Sequence, residues 1–127
     1  MNSPEIIHVD DEQLRRDELS SQAEQKMITY LGMESYYELR EHLRQGARAK
    51  IHVLDGLFFI RPGTDLDFLA DAATQTIREV DPHANILWWT SSVKDAPRAK
   101  ECNVEYHYKQ YVPAKKLMHL IQQRIET

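Results

Sequence analysis

The sequence predicts an α/β domain in which a five-stranded parallel sheet carries helices on both faces. Short apolar runs alternate with longer amphipathic segments along the chain, which is the order of elements expected of such a fold. The runs carry apolar residues on both faces, as is typical of strands covered by helices on both sides. Together they give five units of strand followed by helix, and units of this kind join parallel strands.

Five apolar runs are the predicted strands. They are residues 6–9, 27–31, 50–54, 86–89 and 104–108. Trp88 and Trp89 are neighbours in the fourth run, so their side chains point to opposite faces of the sheet. We expect each tryptophan to pack under a different layer of helices and not to stack on a ligand.

Segments with helical character lie between these runs. In residues 65–80 the apolar side chains recur at helical spacing, and Pro113 suits the first position of a last helix. Ser35 is a possible N-cap for the helix after the second run. Pro97 permits helix only in a first turn, so residues 94–102 are predicted to form a short or irregular helix. The first helix has an irregular apolar pattern.

The composition and net charge exclude several kinds of protein. The chain has 127 residues, and we expect one domain spanning residues 1–127. Its 16 Lys and Arg residues against 20 Asp and Glu residues give a net charge of −4, which argues against direct binding of nucleic acid. The single cysteine, Cys102, excludes an intramolecular disulfide and a thiolate-rich zinc site. Without a membrane span or an apparent signal peptide, a cytoplasmic protein is expected.

Polar side chains follow four of the predicted strands. Asp10 and Asp11 follow the first, Asp55 the third, Thr90 the fourth and Lys109 the fifth. Ligands of open parallel sheets bind beyond the carboxyl ends of the strands, so we expect these residues to meet at one edge of the sheet. Three carboxylates held close together repel each other unless a cation lies between them. Mg²⁺, a hard cation that prefers oxygen ligands, fits such a set.

The same residue types suit phosphoryl chemistry. An aspartate can attack a phosphoryl group and hold it as an acyl phosphate. A metal ion and a lysine neutralise charge on the equatorial oxygens, while a hydroxyl donates a hydrogen bond to one of them. Taken alone, Asp10 and Asp11 could be a helix cap, and Lys109 could be a solvated surface charge. The occurrence of the whole set in this order favours the functional interpretation.

Four short segments resemble a known family. They are residues 7–12, 53–55, 89–91 and 106–109, with the sequences IHVDDE, VLD, WTS and YHYK. In order, and over nearly the whole chain, they resemble the receiver domain of two-component response regulators. The resemblance implies a flavodoxin-like fold with the strand order 2-1-3-4-5.

The resemblance also implies roles for the acidic residues. Asp55 would be the phosphoacceptor, and Mg²⁺ would be the cofactor. Asp10, Asp11 and Asp55 would hold the ion together with the backbone carbonyl of Leu57.

Three further residues would act on the phosphoryl group or respond to it. By the same resemblance, Thr90 would supply the switch hydroxyl and Lys109 would pair with the phosphoryl group. Tyr106 would be the aromatic residue that changes rotamer on activation. The donor would be a histidine kinase or a phosphotransfer protein, and the reader a downstream effector protein or a second copy of the chain. No membrane partner is implied. The domain would not be an enzyme, beyond its own phosphotransfer and a slow self-dephosphorylation, because apolar Leu57 cannot position a hydrolytic water.

Three features depart from the family pattern. Receivers usually have proline after the lysine, joined by a cis peptide bond, whereas Gln110 follows Lys109 here. We expect this bond to be trans, because a cis bond before a non-proline residue costs roughly 3–4 kcal/mol. The Pro62-Gly63 turn comes late after Asp55, and the stretch from Thr90 to Lys109 is short.

Two other functions are alternatives. One is a pseudo-receiver that keeps the fold as a protein-interaction scaffold without phosphorylation, which Gln110 and the short fourth helix favour. The other is a phosphatase similar to the haloacid dehalogenases, but Val53 stands where that family has its nucleophilic aspartate. Residues 58–60 are either an apolar docking patch beside Asp55 or part of the packing over the sheet edge.

Overall fold

A five-stranded parallel sheet lies at the centre of the protein, which a computed structural model describes over residues 3–126. Within that range the strands are β1 (Ile6–Val9), β2 (Tyr30–Met33), β3 (Ile51–Leu54), β4 (Leu57–Phe59), β5 (Leu66–Phe68), β6 (Ile86–Thr90) and β7 (Glu105–Tyr108). The helices are α1 (Gln13–Gln25), α2 (Tyr36–Arg44), α3 (Ala70–Val80), α4 (Ala96–Glu101) and α5 (Ala114–Glu126), with a 3₁₀ turn at Val93–Asp95.

The strand order of the central sheet confirms the predicted fold class. The order is β2-β1-β3-β6-β7, and every neighbouring pair is parallel. Counted within this sheet alone, it is the order 2-1-3-4-5. The chain order changes direction between β1 and β3, so the carboxyl ends of these two central strands flank the point at which such folds bind ligands.

The two faces of the sheet are buried under different helices, as the adjacent tryptophans predict. Trp88 packs with apolar residues of α2 and α3, whereas Trp89 packs with those of α1 and α5. Both are fully buried. The Trp88 indole N–H donates to the Thr74 hydroxyl at 3.0 Å, and that of Trp89 donates to the Val112 carbonyl at 2.8 Å. The expectation that each lies in a core is confirmed.

The second strand begins three residues later than predicted from the run 27–31. Met27 is 92% exposed and has φ of +58°, because it ends α1 in the left-handed conformation. The Ile28 N–H donates back to the Ala23 carbonyl at 2.9 Å, and the Met27 N–H to the Glu24 carbonyl at 3.1 Å. Apolar character alone did not reveal this helix end.

A β-hairpin replaces the first turn of the predicted third helix. Residues 66–68, expected within a helix at 65–80, form β5 and pair antiparallel with β4, and α3 begins only at Ala70. Gly63, at φ +76°, lies in the turn between the two strands. Leu66 has helical spacing to the later apolar residues, yet it is an exposed residue of the hairpin. The prediction was therefore wrong for this segment.

The hairpin shows that residues 58–60 are divided between the two interpretations. Phe58 is fully buried in the core, whereas Ile60 is 45% exposed. The Phe59 N–H donates to the Glu34 carbonyl at 3.1 Å, which fixes β4 beside the end of β2. One residue of the segment is therefore core packing and one is surface.

The region after β6 is short and irregular, as Pro97 predicts. A 3₁₀ turn leads directly into α4, with Pro97 in the first helical turn. No cis peptide bond occurs in residues 3–126, so the bond between Lys109 and Gln110 is trans as expected. None of the helices in this range has both the length and the apolar character needed to cross a bilayer.

Candidate functional site

Backbone hydrogen bonds place the polar residues side by side at the carboxyl edge of the sheet. The Asp10 N–H donates to the Met33 carbonyl at 3.0 Å, and the Asp55 N–H donates to the Val9 carbonyl at 2.9 Å. The parallel ladder thus continues one residue beyond the strands. Its register fixes Asp10 and Asp55 as neighbours before any side-chain contact is considered.

Lys109 lies among three carboxylates. Its Nζ is 2.8 Å from Asp10 Oδ2, 3.2 Å from Glu12 Oε1 and 3.4 Å from Asp55 Oδ2. The side chains of Lys109 and Asp10 are fully buried, and that of Asp55 is 5% exposed. Buried charges of this kind persist only when they are paired, so the ammonium is an integral part of the carboxylate cluster.

The Asp10 carboxylate contacts a backbone N–H and a buried histidine in addition to Lys109. Its Oδ1 accepts a hydrogen bond from the Glu12 N–H at 2.9 Å, and its Oδ2 lies 3.3 Å from His8 Nε2. His8 is itself fully buried, with Nδ1 2.6 Å from the Tyr30 hydroxyl. Burial lowers the pKa of His8, and the adjacent Asp10 carboxylate opposes this shift. The His8 ring thus packs directly against the Asp10 carboxylate.

Burial and mutual repulsion set the pKa values of the acidic residues. Burial, followed by the charge of Asp10, raises the pKa of Asp55 to about 9, although Lys109 opposes the shift. Burial also raises the pKa of Asp11. For Asp10 burial is outweighed by the contacts with His8 and Lys109, which bring its pKa to about 2. The positive charge of Lys109 alone therefore does not compensate the negative charge of the carboxylate cluster.

The geometry fits a divalent cation. Carboxylate oxygens of Asp10, Asp11, Glu12 and Asp55 all lie within 4.8 Å of one another. Such a set of hard oxygen ligands suits Mg²⁺, and an added positive charge would relieve the repulsion that protonates Asp55. The donor set and its uncompensated charge are thus compatible with the ion.

Thr90 and Tyr106 share a hydrogen-bond acceptor next to this cluster. Thr90 Oγ1 lies 3.1 Å from the Ser92 carbonyl oxygen, and the Tyr106 hydroxyl donates to the same oxygen at 2.6 Å. Thr90 is buried at the end of β6, whereas Tyr106 on β7 is half-buried. The Lys109 N–H donates to the Thr90 carbonyl at 2.7 Å, which ties the two strand ends together.

A pocket of about 410 Å³ opens beside Asp55. It is lined by Asp11, Glu12, Asp55, Leu57, Phe68, Ser91, Ser92, Lys94 and Asp95. Leu57 lies at its rim, 49% exposed, at the start of β4. The pocket gives an incoming group a route to the Asp55 carboxylate beside the lysine and the acidic cluster.

The structure brings together most of the sequence-predicted site residues and adds others. Asp10, Asp55 and Lys109 are in direct contact, Asp11 lies in the same cluster and Thr90 adjoins it. Three residues that sequence reasoning did not assign to the site are Glu12, His8 and Asp95. For Glu12 the acidic run Asp-Asp-Glu was an available signal, whereas only the fold places His8 and Asp95.

Comparisons with known proteins identify the fold. No protein-family profile and no curated protein sequence matches the chain. Solved structures do match it, and receiver domains are among them.

Three of these structures show the extent of the likeness. A response regulator receiver protein from Sinorhizobium medicae is 19% identical, with a TM-score of 0.76, and the match covers 98% of this chain and 96% of that one. A receiver domain protein from Clostridium thermocellum is 20% identical, with a TM-score of 0.74 and coverage of 99% and 95%. An atypical orphan response regulator, described as having a phosphorylation-independent regulatory mechanism, is 16% identical, with a TM-score of 0.72 and coverage of 95% and 94%. The chain therefore has the fold of response regulator receiver domains.

Proposed function

We propose that the protein is a receiver that accepts a phosphoryl group on Asp55, in a Mg²⁺-dependent reaction, from a histidine kinase or a phosphotransfer protein. The observation that carries the proposal is the position of Asp55, which lies 3.4 Å from Lys109 Nζ, inside an acidic cluster and on a pocket open to solvent. Asp10, Asp11 and Asp55 would hold the ion with the Leu57 carbonyl, and Glu12 is a further oxygen donor within reach.

The transfer forms one bond to Asp55 and breaks one bond to the donor. An Asp55 oxygen bonds to phosphorus as the bond from phosphorus to the donor histidine nitrogen breaks, and the electron pair of that bond stays on the nitrogen. Asp55 must be ionised to react, yet its pKa in the protein alone is about 9. Mg²⁺ held by the acidic cluster would supply positive charge that favours the ionised carboxylate and would stabilise charge on the transferred group. Lys109 then pairs with a phosphoryl oxygen.

Thr90 and Tyr106 are the residues that respond to the charge of the phosphoryl group on Asp55. A phosphoryl group adds ~1.5–2 negative charges and accepts hydrogen bonds strongly, so it attracts the Thr90 hydroxyl away from the Ser92 carbonyl. Tyr106, bonded to the same carbonyl, responds by changing rotamer. A downstream effector protein or a second copy of the chain then recognises the altered surface in the cytoplasm. Neither nucleic acid nor a membrane is a direct partner.

The test is modification by a small phosphodonor. Wild-type protein incubated with acetyl phosphate and Mg²⁺ should gain one phosphoryl group by intact mass spectrometry, and Asp55→Asn should gain none. Asp17→Asn, an equivalent change at an exposed position on α1, is the matched control and should react like wild type. Equal modification of wild type and Asp55→Asn would contradict the proposal. The phosphorylated wild type should lose the group slowly, because Leu57 offers no polar atom from its side chain to the attacking water.

A phosphorylation-independent scaffold is the second candidate. Lys109 is already bonded to Asp10 and lies close to Glu12 and Asp55, a set of contacts that holds the apo site together without a phosphoryl group. Trp89 reports on this site, because its ring lies 5.5 Å from Lys109 Nζ. The scaffold predicts that tryptophan fluorescence does not change when beryllofluoride is added in the presence of Mg²⁺, whereas the receiver predicts a change. The phosphatase alternative has less support, since Val53 is a fully buried core residue.

A further inference from the structure

Asp95 lies where the 3₁₀ turn after β6 meets α4, and its carboxylate does not serve the helix. The residue occupies the N-cap position of α4, where aspartate usually accepts a hydrogen bond from the first turn. Here the side chain makes no capping hydrogen bond. By contrast, the Ser92 side chain accepts from the Lys94 N–H in the 3₁₀ turn just before it. The Asp95 carboxylate is directed elsewhere.

That carboxylate lies against Gly56, the residue directly after Asp55. A Cβ atom at position 56 would be 2.4 Å from Asp95 Oδ2 and 3.3 Å from its Cγ. Gly56 does not have the positive φ that requires glycine, since the glycines in that conformation are Gly46 and Gly63. Gly56 therefore provides space and not an unusual backbone angle. The space is filled by Asp95, which lines the same pocket as Asp55.

Asp95 also interacts with the residues that would read the phosphoryl group. Burial raises the pKa of Asp95, and the nearby Thr90 hydroxyl opposes this shift. The Thr90 hydroxyl, which donates to the Ser92 carbonyl at 3.1 Å, thus lies near the Asp95 carboxylate. The charge of Asp95 also acts on the Tyr106 hydroxyl, whose pKa is raised mainly by burial. Asp95 thus connects Gly56 with both predicted switch residues.

We propose that Asp95 is an electrostatic gate: in the free protein its carboxylate occupies the pocket over Gly56 and engages Thr90, and a phosphoryl group on Asp55 displaces it. The inference rests on the proposed function, because the displacing charge is the phosphoryl group. Two anionic groups cannot share this half-buried pocket without strong repulsion. Since Asp95 stands at the start of α4, its displacement moves the beginning of that helix.

The test compares anion binding by Asp95→Asn with binding by the wild type. The substitution keeps the size of the side chain and removes its charge. With Mg²⁺ present, we expect the variant to bind beryllofluoride about five-fold more tightly or better, as for removal of one like charge at close range. Tryptophan fluorescence gives the affinity, and the rate of reaction with acetyl phosphate should rise in parallel. Asp65→Asn, a charge-matched change at an exposed position, should behave like wild type.

Hydrogen exchange provides a second readout, the change in exchange that ligand binding causes at the start of α4. Beryllofluoride should alter exchange at residues 93–101 in the wild type. In Asp95→Asn these amides should already exchange at altered rates without the ligand and should change less when it is added. Asp95→Ala, which removes both charge and hydrogen-bonding atoms, should show the same tighter binding. It also keeps the test decisive if the asparagine variant is poorly folded.

The outcomes separate the gate from the receiver function. If wild type and both Asp95 variants bind equally well, the gate is wrong and the receiver function stands. If none of them binds, the receiver function is wrong and the gate is wrong with it. If the Asp95 variants bind while the wild type does not, the gate is supported in its strongest form, as a block on phosphorylation in the free protein.

Discussion

Two buried histidines of the central sheet illustrate how the same residue type depends on its immediate contacts. His8 Nδ1 is hydrogen-bonded to the Tyr30 hydroxyl at 2.6 Å, whereas its Nε2 has no hydrogen-bond partner and lies 3.3 Å from Asp10 Oδ2. His52, on β3, is buried as well, but neither of its ring nitrogens has a hydrogen-bond partner. A buried polar group without a partner costs free energy, and a charged one would cost more. His52 therefore destabilises the fold, and protonation of its ring would destabilise the fold further.

This contrast predicts acid sensitivity centred on His52. Burial lowers its pKa from 6.5 to about 4. Between these values the unfolded chain binds a proton that the native protein excludes, so stability falls as the pH decreases from about 6.5 to 4. The full shift corresponds to about 3 kcal/mol at most. Urea unfolding at pH 7 and pH 5 should show a smaller loss for His52→Leu than for wild type.

Titrating carboxylates also change stability in this range, but they are common to both proteins. The difference between wild type and His52→Leu therefore isolates the histidine. His52→Leu should in addition be at least as stable as wild type at pH 7, because the buried nitrogens without partners are removed. Parallel loss of stability in the two proteins would show that His52 becomes protonated in the native state.

At the scale of elements, the same C-terminal motif ends three helices. Met27, Gly46 and Asn103, each with φ between +56° and +94°, follow α1, α2 and α4. In each case the N–H of the following residue donates to a carbonyl in the last turn of the helix. The donors are Ile28, with a bond of 2.9 Å, and Ala47 and Val104, each with a bond of 3.0 Å. Glycine and asparagine are the usual residues at this position, whereas methionine is strained there.

Met27→Gly should therefore stabilise the protein. The side chain is 92% exposed, so its removal loses little packing. Relief of the left-handed strain should outweigh the added entropy of the unfolded chain, with a net gain of about 0.5–1 kcal/mol. Thermal unfolding measures the change. Met27→Val, which is β-branched, should unfold at a lower temperature than wild type, and the opposite order of the two variants would contradict the assignment.

At the scale of the whole molecule, the acidic cluster links metal binding to stability. Together with Lys109 it joins residues that directly follow β1, β3 and β7, which are distant in the sequence. An ion that binds there binds the native state alone, since the unfolded chain cannot assemble the ligands. Mg²⁺ at 100 times its dissociation constant should stabilise the fold by about 2.7 kcal/mol.

Calorimetry with and without Mg²⁺ tests this linkage. The transition temperature of the wild type should rise with Mg²⁺ concentration, whereas that of Asp10→Asn should rise much less. Glu101→Gln, an exposed change on α4, should respond like wild type. An equal rise in all three proteins would point to a general salt effect and would contradict a site at Asp10.

The sequence by itself determined the sheet and the polar residues at its edge. Runs such as residues 6–9 and 86–89 consist mainly of apolar residues and carry them on both faces, and this pattern can be read directly from neighbouring positions in the sequence. Parallel strands end at one edge of the sheet, so the positions of Asp10, Asp55 and Lys109 followed once the runs were recognised. The strand order came from the resemblance, which carries topology that hydrophobic patterns do not.

The tertiary structure alone decided the features that depend on distant contacts. The hairpin of β4 and β5 has strands of three residues, too short for a reliable pattern, and Leu66 fitted the helical spacing of α3 equally well. The meeting of Gly56 with Asp95 joins segments far apart in the chain, and nothing local to either residue predicts it. Periodicity reports which face of an element is buried, whereas side-chain encounters across elements arise only when the whole core packs.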